Sequence, residues 1–203
     1  DIGRTTTDIA ILDKGQPRID ENGATVGGFN TMVEAVAMRT HGLGGDSEVA
    51  LEEGGLEPNL ILGPRRILPL ALAAAAHPSI LMVLEKQAKS DVLDRLEGRF
   101  AFRTGLDDRF AAGLSASEQA LYDRLTPEPK PLSGLITAAS QMTSLARLVT
   151  RGLAMMSGYT PTDAQHVLGR QATGSVEAAQ LGATLFARKR DGRGRSIAAT
   201  AED

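Results

Sequence analysis

The spacing of apolar and polar positions changes twice along this chain of 203 residues. After a Gly/Thr turn, the β-branched run from Thr7 to Leu12 predicts a strand. From Gly23 to Glu52, glycine loops alternate with short apolar segments, ending in a predicted strand over Glu48 to Leu51. Leu60 to Leu62 and Arg65 to Leu68 read as further strands, and Pro69 to Ala76 as a helix whose first turn holds a proline. His77-Pro78 ends that helix, Ser79 to Lys89 has amphipathic helical spacing, and Arg99 to Arg103 reads as a short strand.

Near Gly113 the pattern turns helical. Ser115-Ala-Ser-Glu118 is a capping box that opens a helix bearing Leu121, Tyr122 and Leu125. Three prolines between Thr126 and Pro131 predict a turn. Leu132 to Ala139 and Ser144 to Arg151 read as short helices, and Gly152 to Tyr159 as a small wing. Pro161 to Leu168 and Val176 to Arg190 return to helix. The fold class expected is α/β: a lobe over 1–112, a mostly helical winged-helix-like insertion over 113–159, helices over 160–190 that rejoin the lobe, and a polar tail over 191–203 that frays.

Composition excludes several classes. Apolar residues at 42% and charged residues at 23% set the chain apart from disordered sequences. With 22 Lys and Arg against 25 Asp and Glu, the net charge of −3 argues against a general nucleic-acid binder. The absence of Cys removes thiol nucleophiles and Cys-based zinc sites and fits a reducing compartment. The longest apolar run, Ile67 to Leu84, is broken by Pro69, His77 and Pro78, so no membrane span and no membrane partner is expected. No secretory signal opens the chain, which makes cytoplasm the expected compartment. Because Asp1 already lies inside a motif, the chain is expected to be a piece of a longer polypeptide whose N-terminal lobe is a missing partner.

That motif is Asp1-Ile-Gly-Arg-Thr-Thr-Thr-Asp8. A tight β-turn lined with backbone N–H groups and hydroxyls makes a concave anion site, and carboxylates at its two ends can hold Mg²⁺ through water. The alternative is a plain hairpin, its threonines favouring β structure and its aspartates capping the turn. A second loop, Gly42-Leu-Gly-Gly-Asp-Ser47, joins three glycines to a carboxylate and a hydroxyl, which suits close approach to a ligand and equally suits an empty tight turn.

The opening run resembles the second phosphate loop of the actin, sugar-kinase and heat-shock-chaperone ATPase superfamily, in the form found in the hydantoinase/oxoprolinase family. Val26-Gly-Gly-Phe29, Arg39-Thr-His-Gly-Leu-Gly-Gly-Asp-Ser47, Thr160-Pro-Thr-Asp-Ala164 and His166-Val-Leu-Gly169 extend the resemblance over most of the chain. It implies one lobe of an actin-like (ribonuclease H-like) ATPase that uses ATP and Mg to hydrolyse small cyclic amides such as hydantoins or 5-oxoproline; related members are carboxylases. By the same resemblance, Asp1 and Asp8 are the candidate catalytic residues, with Asp1 also nearest the metal and Asp8 orienting water or anchoring the turn. Gly3, Arg4, Thr5, Thr6 and Thr7 would face the phosphates, and Gly42, Gly44, Gly45, Asp46 and Ser47 would line the cleft. Position 4 departs from the pattern: the family has glycine where this chain has arginine, which adds bulk and charge. Without its partner lobe the chain is expected to be inactive.

Two further readings compete. The winged-helix-like segment carries Arg124, Lys130, Arg147 and Arg151, the cations a nucleic-acid-binding regulator would use. A non-catalytic interaction subunit, docking a second subunit, would explain Arg4. Thr160-Pro-Thr-Asp163 reads as a helix cap, and Lys189, Arg190, Arg193 and Arg195 as a solvated basic tail.

Overall fold

The computed structural model describes residues 7–20, 25–26, 29–30, 35–51, 60–190 and 194–198. Asp1, Gly3, Arg4, Thr5 and Thr6, like Gly27 and Gly28, lie outside them.

The first part of the chain makes short antiparallel ladders. β1 (Thr7–Ala10) pairs with β8 (Met38–His41), setting Thr7 opposite His41 and Asp8 opposite Thr40. β2 (Leu12–Asp13) and β3 (Gln16–Pro17) close a hairpin over Lys14 and Gly15, whose φ of 50° and 83° match the right-handed twist of the strands. β4 (Ile19–Asp20) pairs with β7 (Ala35–Val36), and β5 (Thr25–Val26) with β6 (Phe29–Asn30). β9 (Ser47–Leu51) pairs with β10 (Leu60–Arg66), one strand where the pattern predicts two. Its register shifts between Leu62 and Arg66, around Gly63 at φ +50°. A Cβ on Gly63 would stand 3.1 Å from Ser47 Oγ, so the irregularity lets the ribbon close against that side chain.

The remainder is built on a four-stranded sheet, ordered β11 (Leu68–Pro69), β14 (Ala154–Gly158), β12 (Phe100–Arg103), β13 (Lys130–Pro131). Side chains of β12 alternate between two cores, as a strand buried on both faces requires. Phe100 joins Leu70, Ala73 and Ala74 of α1 (Leu70–Ala76), Ile80 and Leu84 of α2 (Ser79–Ala88), and Ala178 and Leu185 of the last helix. Ala101 joins Leu121, Tyr122, Leu145 and Leu148 on the other side, together with Ile67, Leu96 and Met156. Those leucines belong to α3 (Ala116–Arg124) and α5 (Ala139–Thr150), with the one-turn α4 (Leu132–Leu135) between them. Helices on both faces of a mixed sheet make an α/β fold. α6 (Pro161–Val167) and α7 (Val176–Ala187) complete it. Among the described residues no helix is long and apolar enough to cross a membrane.

Four expectations change. The segment 152–159 contributes no hairpin wing: it holds the single strand β14, which runs inside the sheet, parallel to β11 and antiparallel to β12. Its small residues, Ala154, Ser157 and Gly158, are buried, which suits a strand packed on two faces. The helices expected over 132–139 and 144–151 instead break at Ile136 to Ala138. Gln141 Oε1 accepts the Thr137 and Ala138 N–H groups at 2.7 and 3.2 Å, so α5 is capped from inside rather than by a preceding hydroxyl. α7 stops at Ala187, short of Arg190. Beyond it the tail does not simply fray: Ile197 N–H donates to Ala187 O and Lys189 O, and Arg190 bridges Ser196.

Candidate functional site

The Gly42–Ser47 loop is where three of the sequence motifs meet. Thr7 Oγ1, at the end of the opening motif, donates to Leu43 O at 2.8 Å. Gly45 O accepts the Thr162 N–H at 3.0 Å, and Asp46 O accepts Ile67 N–H at 3.0 Å. The loop closes on itself: Gly44 N–H donates to Ser47 Oγ at 2.8 Å and Ser47 N–H to Gly44 O at 3.0 Å. Gly42 is exposed, Gly44, Gly45 and Asp46 are half-buried, and Ser47 is fully buried. Ser47 Oγ also lies 3.5 Å from Gly42 O, at the outer limit of a hydrogen bond. Asp8 stands one position along β1 from Thr7, across the ladder from Thr40. Among the described residues, no three His, Asp or Glu side chains converge on a metal position; Asp1, the expected metal residue, is outside that set.

The Thr160-Pro-Thr-Asp163 segment is a cap, as its spacing predicts, and more. Thr160 Oγ1 receives Asp163 N–H, while Asp163 Oδ2 accepts from Thr160 N–H and Oγ1, both at 2.9 Å. The same carboxylate reaches α1: Oδ1 accepts Ala71 N–H at 2.7 Å and Oδ2 accepts Leu70 N–H at 3.2 Å. α1 has no side-chain cap of its own, since Pro69 precedes it, and its free N–H groups are satisfied from across the fold. Burial pushes the Asp163 carboxyl above the usual aspartate range, opposed by the hydrogen bonds from Ala71, Thr160 and Leu70. His166 is buried too, with Nδ1 2.8 Å from Thr162 O and Nε2 3.4 Å from Thr173 Oγ1, a structural pairing.

Behind the loop lies a feature with no signature in the sequence. Glu48, adjacent to Ser47, is held by Arg99, just ahead of β12, and by Arg65 of β10 at 3.5 Å. Glu48 and Arg99 border a pocket of about 290 Å³, counting its open mouth, with Glu97, Gly98, Tyr159, Phe186 and Lys189 among its walls. Burial lowers the Arg99 guanidinium, Glu48 offsets this, and Arg65 and Arg95 lower it again. Lys189 is held down to about 8, first by burial and then by Arg99. It is not a solvated tail residue: it is half-buried, and its Nζ donates to Arg95 O at 3.2 Å. The five stretches that build this pocket carry unremarkable spacing, so only their folding together reveals it.

The cations of the helical segment are engaged within the molecule. Arg147 pairs with Glu118 at 3.2 Å, Arg151 donates to the carbonyls of Phe110 and Ala112 at 2.8 and 2.7 Å, Lys130 to Arg124 O at 2.7 Å, and Arg124 to Gly134 O at 3.4 Å.

Comparison with protein-family models, with curated proteins and with solved structures gives no match.

Proposed function

We propose that this chain is the nucleotide-handling lobe of an actin-like ATPase of the hydantoinase/oxoprolinase type, serving ATP-dependent hydrolysis of a small cyclic amide. One observation carries the reading: the loop Gly42–Ser47 receives Thr7 from the opening motif through Leu43 O and Thr162 from the Thr-Pro-Thr-Asp motif through Gly45 O. Segments that resemble one family therefore gather at a single loop although they are remote along the chain. Thr7 and Asp8, the described residues of the opening motif, lie in β1 against β8, which leads directly into the glycine loop.

The donor set suits a nucleotide phosphate chain with its magnesium. Backbone N–H groups and small hydroxyls donate to phosphate oxygens, and carboxylates hold a hydrated Mg²⁺ through its waters. Gly3, Thr5 and Thr6 would bind phosphate, with Asp1 and Asp8 on the metal's waters. Bound ATP would supply the phosphoryl group that makes the ring amide electrophilic toward water. The chain's own task is then to orient phosphate oxygens and neutralise their charge.

Thermal stabilisation by Mg·ATP, with Mg·AMP as control, tests the reading on the parent chain and on Arg4→Gly. Glycine restores the family pattern and removes the side chain at the turn, so the variant is expected to gain stability with ATP beyond any gain in the parent. Failure of millimolar Mg·ATP to stabilise either protein overturns the proposal.

A further inference from the structure

We propose that the pocket walled by β9, the segment ahead of β12 and the C-terminal end of α7 binds one small carboxylate monoanion, seated between Arg99 and Lys189. This inference goes beyond the nucleotide reading and does not depend on it. Two cationic side chains of the lining keep donors without a described acceptor. An ammonium carries three protons; Lys189 directs one to Arg95 O, and among the described residues no carboxylate lies within ion-pair distance of its Nζ. Arg99 spends one terminal nitrogen on Glu48, while its Nε is buried and meets no acceptor among the described residues. Buried donors left without partners are costly, and an acceptor-only ligand relieves them.

Charge selects the kind of anion. Within the lining Arg99 and Lys189 stand against Glu48 and Glu97; Arg65, outside it, shares Glu48 with Arg99, and Lys189 has no carboxylate within ion-pair distance among the described residues. A monoanion gives Lys189 one counter-charge, whereas a dianionic phosphate would bring two beside Glu48 and Glu97. Size agrees: the enclosed part of the pocket has room for about one or two water-sized groups, which suits a carboxylate end and excludes a nucleotide. The open mouth lets the rest of a small organic acid project outward.

The charged groups bearing on Lys189 are Arg99, Glu48 of β9, and Asp94 and Glu97 of the segment before β12. Because its ammonium is held at about 8, a bound carboxylate would favour the charged form and draw in a proton near that pH.

Isothermal titration of the full chain with formate and with acetate, against phosphate and against chloride at constant ionic strength, tests the proposal. Formate and acetate are expected to bind and to raise the melting temperature above that in chloride, with affinity falling about tenfold per pH unit above about 8. Lys189→Met keeps the length, removes a partly buried charge, and is expected to weaken binding by about tenfold or more while abolishing that pH dependence. Glu97→Gln takes away a competing carboxylate and is expected to tighten binding, which keeps the test decisive even if Lys189→Met misfolds. Carboxylates no better than chloride, phosphate tighter than formate, unchanged binding by a folded Lys189→Met, or no tightening by Glu97→Gln would each overturn the assignment.

Discussion

Replacing Asp163 by alanine removes one carboxylate and leaves three backbone N–H groups, those of Leu70, Ala71 and Thr160, without their acceptor in a buried place. Each such donor costs about 1–3 kcal/mol when left unsatisfied. Part of this is returned, because burial already holds the carboxyl above its ordinary range and the variant no longer bears that desolvation. The net loss works out at about 3–5 kcal/mol, a large share of the roughly 5–15 kcal/mol that keeps a domain folded. Urea denaturation followed by circular dichroism would read it as a lower midpoint at unchanged slope. Asp163→Asn keeps one acceptor oxygen but turns an NH₂ toward at least one backbone donor, so it should fall between wild type and alanine. A loss below about 1 kcal/mol in the alanine variant, or equal stability of the two variants, would refute the view that this side chain secures the starts of α1 and α6 together.

Gly174→Ala should destabilise by about 1–3 kcal/mol or more, because its Cβ would stand 2.6 Å from the Ala71 carbonyl oxygen, backbone that cannot rotate away; a thermal melt within 1 °C of wild type would contradict this. Glu118 is held below the usual glutamate range by the Ser115 backbone N–H and then by Arg147. Its contribution is therefore present above the unfolded value of 4.5 and lost as pH falls through the lower folded value. The stability difference between wild type and Glu118→Gln, measured by denaturant titration from pH 7 to pH 3, should shrink below about pH 4.5; a difference that stays flat would contradict the coupling.

Local chemistry was legible where it was self-contained. The Ser115/Glu118 box fixes the start of α3 within four residues, Thr160 and Asp163 do the same for α6, and His77-Pro78 parts α1 from α2 without help from elsewhere. Non-local pairing was not legible. β14 is flanked by strands from two distant stretches, and nothing in Ala-Met-Met-Ser-Gly distinguishes an interior strand from a wing. Asp163 discloses its cap on α6 by spacing, but its hold on Leu70 and Ala71 spans 93 and 92 residues. Lys189 read as tail because its basic neighbours follow it in sequence; Arg99 and Glu48, whose charges act on it, are brought near it by no window along the chain. The glycine loop was found from composition, while its anchoring partners, Thr7 and Thr162, emerged only with the fold.

That anchoring separates residues that shape a phosphate loop from residues that would contact phosphate. A hydroxyl has one proton to give. Thr7 has given its proton to Leu43 O, and Ser47 Oγ is buried, accepts Gly44 N–H and faces Gly42 O at 3.5 Å with its own proton, so neither is placed to donate to an anion without loosening the loop. Both behave as scaffold, and the burden of phosphate contact in the proposed reading passes to Gly3, Thr5 and Thr6 and the backbone between them. The same strand carries Ser47 and, next to it, Glu48 of the pocket lining. Successive side chains of a strand point to opposite faces. Ser47 turns to the glycine loop and Gly63, while Glu48, the next residue, turns to Arg65 and Arg99. β9 thus sets Ser47, with the glycine loop, on one face and Glu48, with its two arginines, on the other, so a change at one of these residues need not disturb the partners of the other.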